Sequence, residues 1–153
     1  MAVAAMAGCG SNSASNDAAT TEKAAADGKV YKVGIVQYVD DASLNQIEKA
    51  VEAELDAKAK ELGVTFDYKD YTYNGQADSS TLNQIATDLV AEDVDVIIPI
   101  ATPTAMIMQA ATEENQIPVV FSAVSDPVTA GLVESMDKPG SNITGTSDAL
   151  NTE

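Results

Sequence analysis

Two stretches set hydroxyls and a proline, the second also an acid, between an apolar run and a helical pattern. The first is "IPIATPTAM", where Thr102, Pro103 and Thr104 follow the run 94–100. The second is "VVFSAVSDPVTAGLV", where Ser125, Asp126 and Pro127 occupy the same kind of junction. A third junction, 38–43, carries Tyr38, Asp40, Asp41 and Ser43 into another helical pattern. These groups hydrogen-bond; they do not form a nucleophile and base pair. Thr102 fits an N-cap with Pro103 at the first helical position, where its missing N–H costs nothing. Asp126 and Pro127 fit the same roles. A helix N-terminus offers free N–H groups and about half a positive charge, which suits a carboxylate or another small anion. Hydroxyls of Thr102, Thr104 and Ser125 would add side-chain bonds. Each group also has a purely local use. Thr102 and Asp126 can serve only as caps, and Asp40 and Asp41 as caps or solvated charges. Tyr38 can stack on an aromatic ligand or simply cover the core.

Composition removes other chemistry. The chain has 153 residues, no His, a single Cys, and 24 acidic against 8 basic residues, for a net charge of −16. Without His or a spare Cys, most metal sites, thiol nucleophiles and imidazole acid–base chemistry lose their residues. The acidic balance argues against nucleic acid as a partner and for solubility. No cofactor motif is present: there is neither GxGxxG nor GxxxxGK[ST]. An enzyme of flavodoxin-like architecture is disfavoured on the same grounds. A phosphoacceptor would need an Asp after the third strand, where this chain has Ile100, Ala101 and Thr102.

The elements that must position the junctions alternate. "VYKVGIVQY" reads as a strand, with Gly34 at a close backbone approach. Leu44, Ile47, Val51, Leu55, Ala59 and Leu62 form one helical stripe that ends at Gly63 as C′ residue. "VTFDYKDYTY" alternates as a strand with one wet face near the sheet edge, carrying Tyr68, Tyr71 and Tyr73. After the loop "NGQADSS", a second helix is marked by Leu82, Ile85, Ala86 and Leu89. "VDVIIPI" reads as a buried strand whose pairing should stop, or bulge, at Ile98 because Pro99 cannot donate to a ladder. "PTAMIMQAATEEN" predicts a third helix, with Met106, Ile107 and Ala110 in the core and Asn115 as C′ residue. "IPVVFSAV" is a fourth strand with Phe121 as a core residue, "PVTAGLVESM" a short helix, and "SNITGTSD" a fifth strand. Strands separated by helices imply an α/β fold: a doubly wound parallel five-stranded sheet of flavodoxin-like order 2-1-3-4-5. In that architecture ligands sit beyond the carboxyl ends of the strands, where all three junctions lie.

The first 29 residues have a different character. Met6, Ala7, Gly8 and Cys9 resemble a bacterial lipobox, with Met where Leu is commoner. The resemblance makes Cys9 a lipidated first residue, residues 1–8 the remnant of a signal peptide, and 9–29 a polar tether. A basic n-region is missing and the apolar run is short, so the start is expected upstream of Met1.

From Val30 onward the segments "YKVGIVQYVDDASLNQIEKAVEAEL", "ADSSTLNQIATDLVAEDVDVIIPIATPTA", "IPVVFSAVSDPVTAGLV" and "KPGSNITGTSD" resemble the N-terminal lobe of bacterial ABC-transporter substrate-binding proteins. The subgroup is the one associated with tryptophan, tyrosine and related amino acids. The resemblance implies one lobe of a type I periplasmic binding protein and no enzymatic activity. It implies an extracytoplasmic location with a lipid anchor of the Gram-positive type, capture of a small molecule between two lobes, and an ABC permease as partner. It carries ligand contacts to Thr102 and Ser125, and less directly to Thr104, Asp126 and Tyr38. On this reading residues 30–147 form the lobe, 148–153 begin the hinge crossover, and the second lobe is absent, leaving apolar surface exposed. The alternative from another class is a ligand-sensing lobe of a signalling receptor of the same ancestry.

Overall fold

The computed structural model describes residues 28–148. The lipobox, Cys9, most of the tether and the last residues of the expected crossover lie outside them. The elements run β1 (Val30–Gln37), α1 (Ala42–Leu62), β2 (Thr65–Asp67), β3 (Thr72–Asn74), α2 (Ser79–Ala91), β4 (Val96–Ile100), α3 (Thr102–Thr112), β5 (Val119–Val124) and β6 (Ile143–Ser147). Every strand pair is parallel, in the order β2-β1-β4-β5-β6, and β3 also pairs with β1. Because β2 and β3 share one edge of β1, this is the expected 2-1-3-4-5 order with its second strand in two pieces. A single 3₁₀ turn, Lys69–Tyr71, breaks that strand. Tyr68 causes the break: it turns inward, is 5% exposed, and donates its hydroxyl to Asp56 of α1 at 3.1 Å. A continuous pleat would have kept it in an alternating edge strand.

Pro99 does not end β4. The register continues through Val36↔Pro99 and Gln37↔Ile100. The reason is direction. Ile97 N donates to Pro118 O and Ala101 N to Ser122 O, so odd-numbered N–H groups of β4 face β5. The donor that Pro99 lacks therefore belongs to the β5 ladder, where only Ile97↔Val119 and Ile100↔Ser122 pair, and the β1 ladder stays whole.

α2 and α3 cover one sheet face. Leu82, Ile85, Ala86 and Leu89 of α2 meet Ala105 and Met108 of α3 over Val36, Ile97, Val119 and Phe121. Gly34 lies under α2, where a Cβ would stand 2.9 Å from Leu89 Cδ2. α1 lies on the other face, over Val33, Ile35, Tyr68 and Ile100. Asp41 caps its start through Ser43 N at 2.8 Å, and Gly63, at φ 69°, closes its end as expected.

Two helix readings are corrected. α3 turns Thr104, Ala105, Met108 and Thr112 inward, so Met106 and Ala110 face solvent although both were expected in the core. α3 also stops at Thr112, and Gln116, not Asn115, takes the left-handed conformation at φ 59°. The helix expected after Pro127 is a run of turns. Leu132 N and Val133 N both reach back to Pro127 O, and Gly131 at φ 73° bends the chain away before a helix can propagate.

Gly145 of β6 packs against β5 so closely that a Cβ would collide with the Phe121 carbonyl and ring. Gly145→Ala should therefore lower unfolding free energy by about 1–3 kcal/mol in urea titration, as overpacking does. Leu89→Ala, which empties a fully buried site, should cost about 2–5 kcal/mol by the same measurement.

Candidate ligand rim

The strand ends define the site. Gln37 of β1 is level with Ile100 of β4, Ile100 with Ser122 of β5, and Val124 of β5 with Ser147 of β6. Tyr38 and Ser125 follow their strands directly and Thr102 follows one residue after β4, so the three junctions lie along one rim of the sheet. The order reverses between β1 and β4, which is where a doubly wound sheet opens its crevice.

At the β4–α3 junction the cap differs from expectation. Ala101, not Thr102, precedes the helix, with no side-chain cap bond, and Pro103 falls within the first turn. Ala101 has φ 85° and ψ 152°, a conformation suited to glycine and costing about 1–3 kcal/mol for other residues. The first helical bond runs from Ala105 N to Ala101 O at 3.1 Å. The amides of Thr102 and Thr104 precede that ladder, and Pro103 has none, so this end of α3 carries unspent donors. Thr102 is half-buried at the edge. Thr104 is fully buried and its Oγ1 has no hydrogen-bond partner. Thr104 therefore lies beneath the surface on which Thr102 is half-exposed.

At the β5 junction, Ala123 at φ 56° marks a register shift between Phe121 and Val124. The shift places Ser125 beyond the ladder as an exposed residue. Its carbonyl accepts Ser147 Oγ at 3.1 Å, and Asp148 N donates to Val124 O at 3.2 Å, fixing the junction to β6. Asp126 does not cap a helix. Its Oδ1 accepts Thr129 N at 2.9 Å within an isolated turn, and these bonds from Thr129 hold its carboxyl below the usual aspartate range.

At the β1 junction, Tyr38 is half-buried against the α2–α3 core, and its carbonyl accepts Ala77 N at 2.8 Å. Asp40 Oδ1 accepts Asn45 Nδ2 at 2.7 Å. The residue the sequence reading missed is Gln37. It is 2% exposed, and its Nε2 donates to Val39 O and to Asn45 Oδ1, both at 2.6 Å. This chain from Gln37 through Asn45 to Asp40 ties the β1 junction to α1. The available signal was a lone amide closing the apolar run "VGIV". Among the described residues no group of three or more His, Cys, Asp or Glu is placed to hold a metal ion.

The fold is a parallel α/β lobe whose three strand-end junctions lie along one rim. Residues 32–153 match the model of the ABC transporter substrate binding protein family, and the chain belongs to that family. It is 38% identical over 98% of its length to a tyrosine-binding protein of Clostridioides difficile, of which it covers 42%. Among solved structures it resembles an L-Trp complex from Streptococcus pneumonia at TM-score 0.69 and 34% identity, over 79% of this chain and 39% of that one. It also resembles a ligand-free, open substrate-binding protein with adhesive properties from Clostridium difficile, at TM-score 0.64 and 34% identity, over 80% and 40%. The chain thus spans about two fifths of the length of these relatives. Its fold is that of one periplasmic-binding-protein lobe.

Two outcomes follow from the geometry. Asp41→Ala removes the cap of α1 and should cost about 1 kcal/mol in thermal or urea unfolding. The Thr129 amide, followed by NMR against pH, should titrate with Asp126 at a midpoint below the usual aspartate value. A depressed folded pKa means that the turn's contribution is complete above the unfolded value and lost as pH falls through the folded one.

Proposed function

We propose that this chain is the ligand-capturing lobe of an extracytoplasmic solute-binding lipoprotein of an ABC importer. Its ligand is a small carboxylate, an aromatic or other hydrophobic amino acid, held between this rim and a second lobe. The observation that carries the reading is the alignment of the Thr102 and Ser125 junctions on neighbouring parallel strands, beside the uncapped start of α3. The ligands printed for the relatives, tyrosine and L-Trp, support the class.

The chemistry is capture. The α-carboxylate meets the free amides that begin α3, with the hydroxyls of Thr102 and Ser125 as further donors. Asp40, exposed at the β1 junction, supplies negative charge for the α-ammonium. Tyr38 provides an aromatic wall for the side chain. Thr104 lies behind the same turn with an unspent hydroxyl, and Asp126 shapes the loop that presents Ser125. Closure of the second lobe removes water from these contacts and presents the loaded protein to a permease. Cys9 is the site of lipidation, and the polar residues after it form the tether. More than one acyl chain gives stable anchoring where a single one is marginal.

Calorimetric titration of the two-lobed protein with tryptophan, tyrosine, phenylalanine and branched-chain amino acids tests the reading. Binding of at least one is expected, and absence of heat with all of them removes the amino-acid assignment. Thr102→Val should weaken the bound ligand roughly 10- to 100-fold, the loss of a hydrogen bond to a charged group. For the anchor, Cys9→Ser should move the protein from the membrane fraction to the medium of a Gram-positive host.

A further inference from the structure

Four groups at the β1 junction form one chain of hydrogen bonds. Gln37 Nε2 donates to Val39 O and to Asn45 Oδ1, and Asn45 Nδ2 donates to Asp40 Oδ1. A side-chain amide carries two N–H donors and an accepting oxygen, while a carbonyl and an ionised carboxylate only accept. Both ends of this chain, Val39 O and Asp40, are therefore acceptors, and that fixes the direction of the two amides between them. Turning either amide over would set oxygen against oxygen. Gln37 is 2% exposed and spends both of its donors, so it is the fixed end. Asp40 is the exposed end. No lysine pairs with it among the described residues, where the ion pairs are Lys32–Glu92 and Lys58–Glu61. A carboxylate held by a neutral amide keeps its charge for another cation.

We propose that Gln37 is a positioning residue of the rim: through Asn45 it holds the Asp40 carboxylate in place for the ligand's ammonium, and so selects amino acids over the matching acids that lack an amine. The inference rests on the function proposed above. Without Gln37 the Asn45 amide has two orientations, and in one of them its oxygen repels Asp40. The carboxylate is then free among its rotamers, and binding has to order it again, which lowers affinity. The loss is confined to ligands with an ammonium, because an acid without one makes no contact with Asp40. The carboxylate end of either ligand lies with the donors of α3 and is untouched.

Calorimetry on the two-lobed protein tests this with two probes. One is whichever amino acid named above binds tightest. The other is its analogue with hydrogen in place of the amine, indole-3-propionate in the case of tryptophan. Gln37→Met removes the donors at similar length, and Asn45→Ala, at a half-buried position of α1, cuts the chain in the middle without touching the core. Each should weaken the amino acid roughly tenfold, the worth of one contact to a charged group, and leave the analogue within about twofold. In an Asp40→Ala background neither should weaken the amino acid further, because groups that act in one chain are not additive. Equal loss of both probes, or an additive loss beside Asp40→Ala, overturns the proposal and leaves Gln37 a purely structural residue. Should Gln37→Met not fold, Asn45→Ala decides by the same criteria. The chain is also read without ligand, by hydrogen exchange of side-chain amides in the 153-residue protein. Gln37→Met should speed exchange of the Asn45 Nδ2 protons roughly 3- to 10-fold, although it bonds only the other end of that amide. An unchanged rate overturns the proposal. If the wild type binds no amino acid, the function proposed above fails and the selectivity with it, whereas exchange rates that change as expected show that the failure lies in the ligand and not in the positioning of Asp40.

Discussion

The molecule depends on the parallel register between β1 and β4. Five consecutive pairs, from Val33↔Val96 to Gln37↔Ile100, make these strands end together. All other placements follow. β5 extends beyond β4 and delivers Ser125 past the ladder, while β4 stops early enough for α3 to start at the rim. A shift of one residue would turn Val36 and Ile97 out of one core and break the alignment of all three junctions. The same register explains why Pro99 is tolerated, since its missing donor faces β5 and leaves the β1 ladder intact.

Strain collects where this register meets the rim. Ala101 and Ala123 both hold positive φ, one at the β4 junction and one at the β5 junction. Glycine would adopt those angles freely, but it would also loosen the turns. An alanine held there by packing is a stiffer support for the residues that follow. Gln37 acts similarly on the third junction. Its buried amide bonds the loop carbonyl of Val39 and the α1 side chain of Asn45 together. The rim is thus braced from below.

The three acids of the rim are held differently. Asp41 and Asp126 are engaged by backbone amides, so much of their charge is spent on local structure. Asp40 remains exposed with one amide partner, near strand ends that also carry the donors of α3.

The fold class was legible in the sequence because it rests on local periodicity. The stripe from Leu44 to Leu62 with Gly63, and the apolar runs of β1 and β4, each announce an element without reference to distant residues. The strand order followed from the alternation of strands and helices together with an order common among doubly wound sheets. What the sequence could not determine was rotation and termination. Which side of α3 turns inward is set by the Ala101 junction and the α2 surface, so Thr104 is buried and Met106 exposed. Whether Asp126 starts a helix or closes a turn depends on where Leu132 and Val133 find their acceptor. Where its strand breaks, Tyr68 turns inward onto Val33, Ile35 and Ile100 and donates to Asp56 of α1. These outcomes belong to contacts between residues far apart in the chain, and only the packed structure brings those residues together.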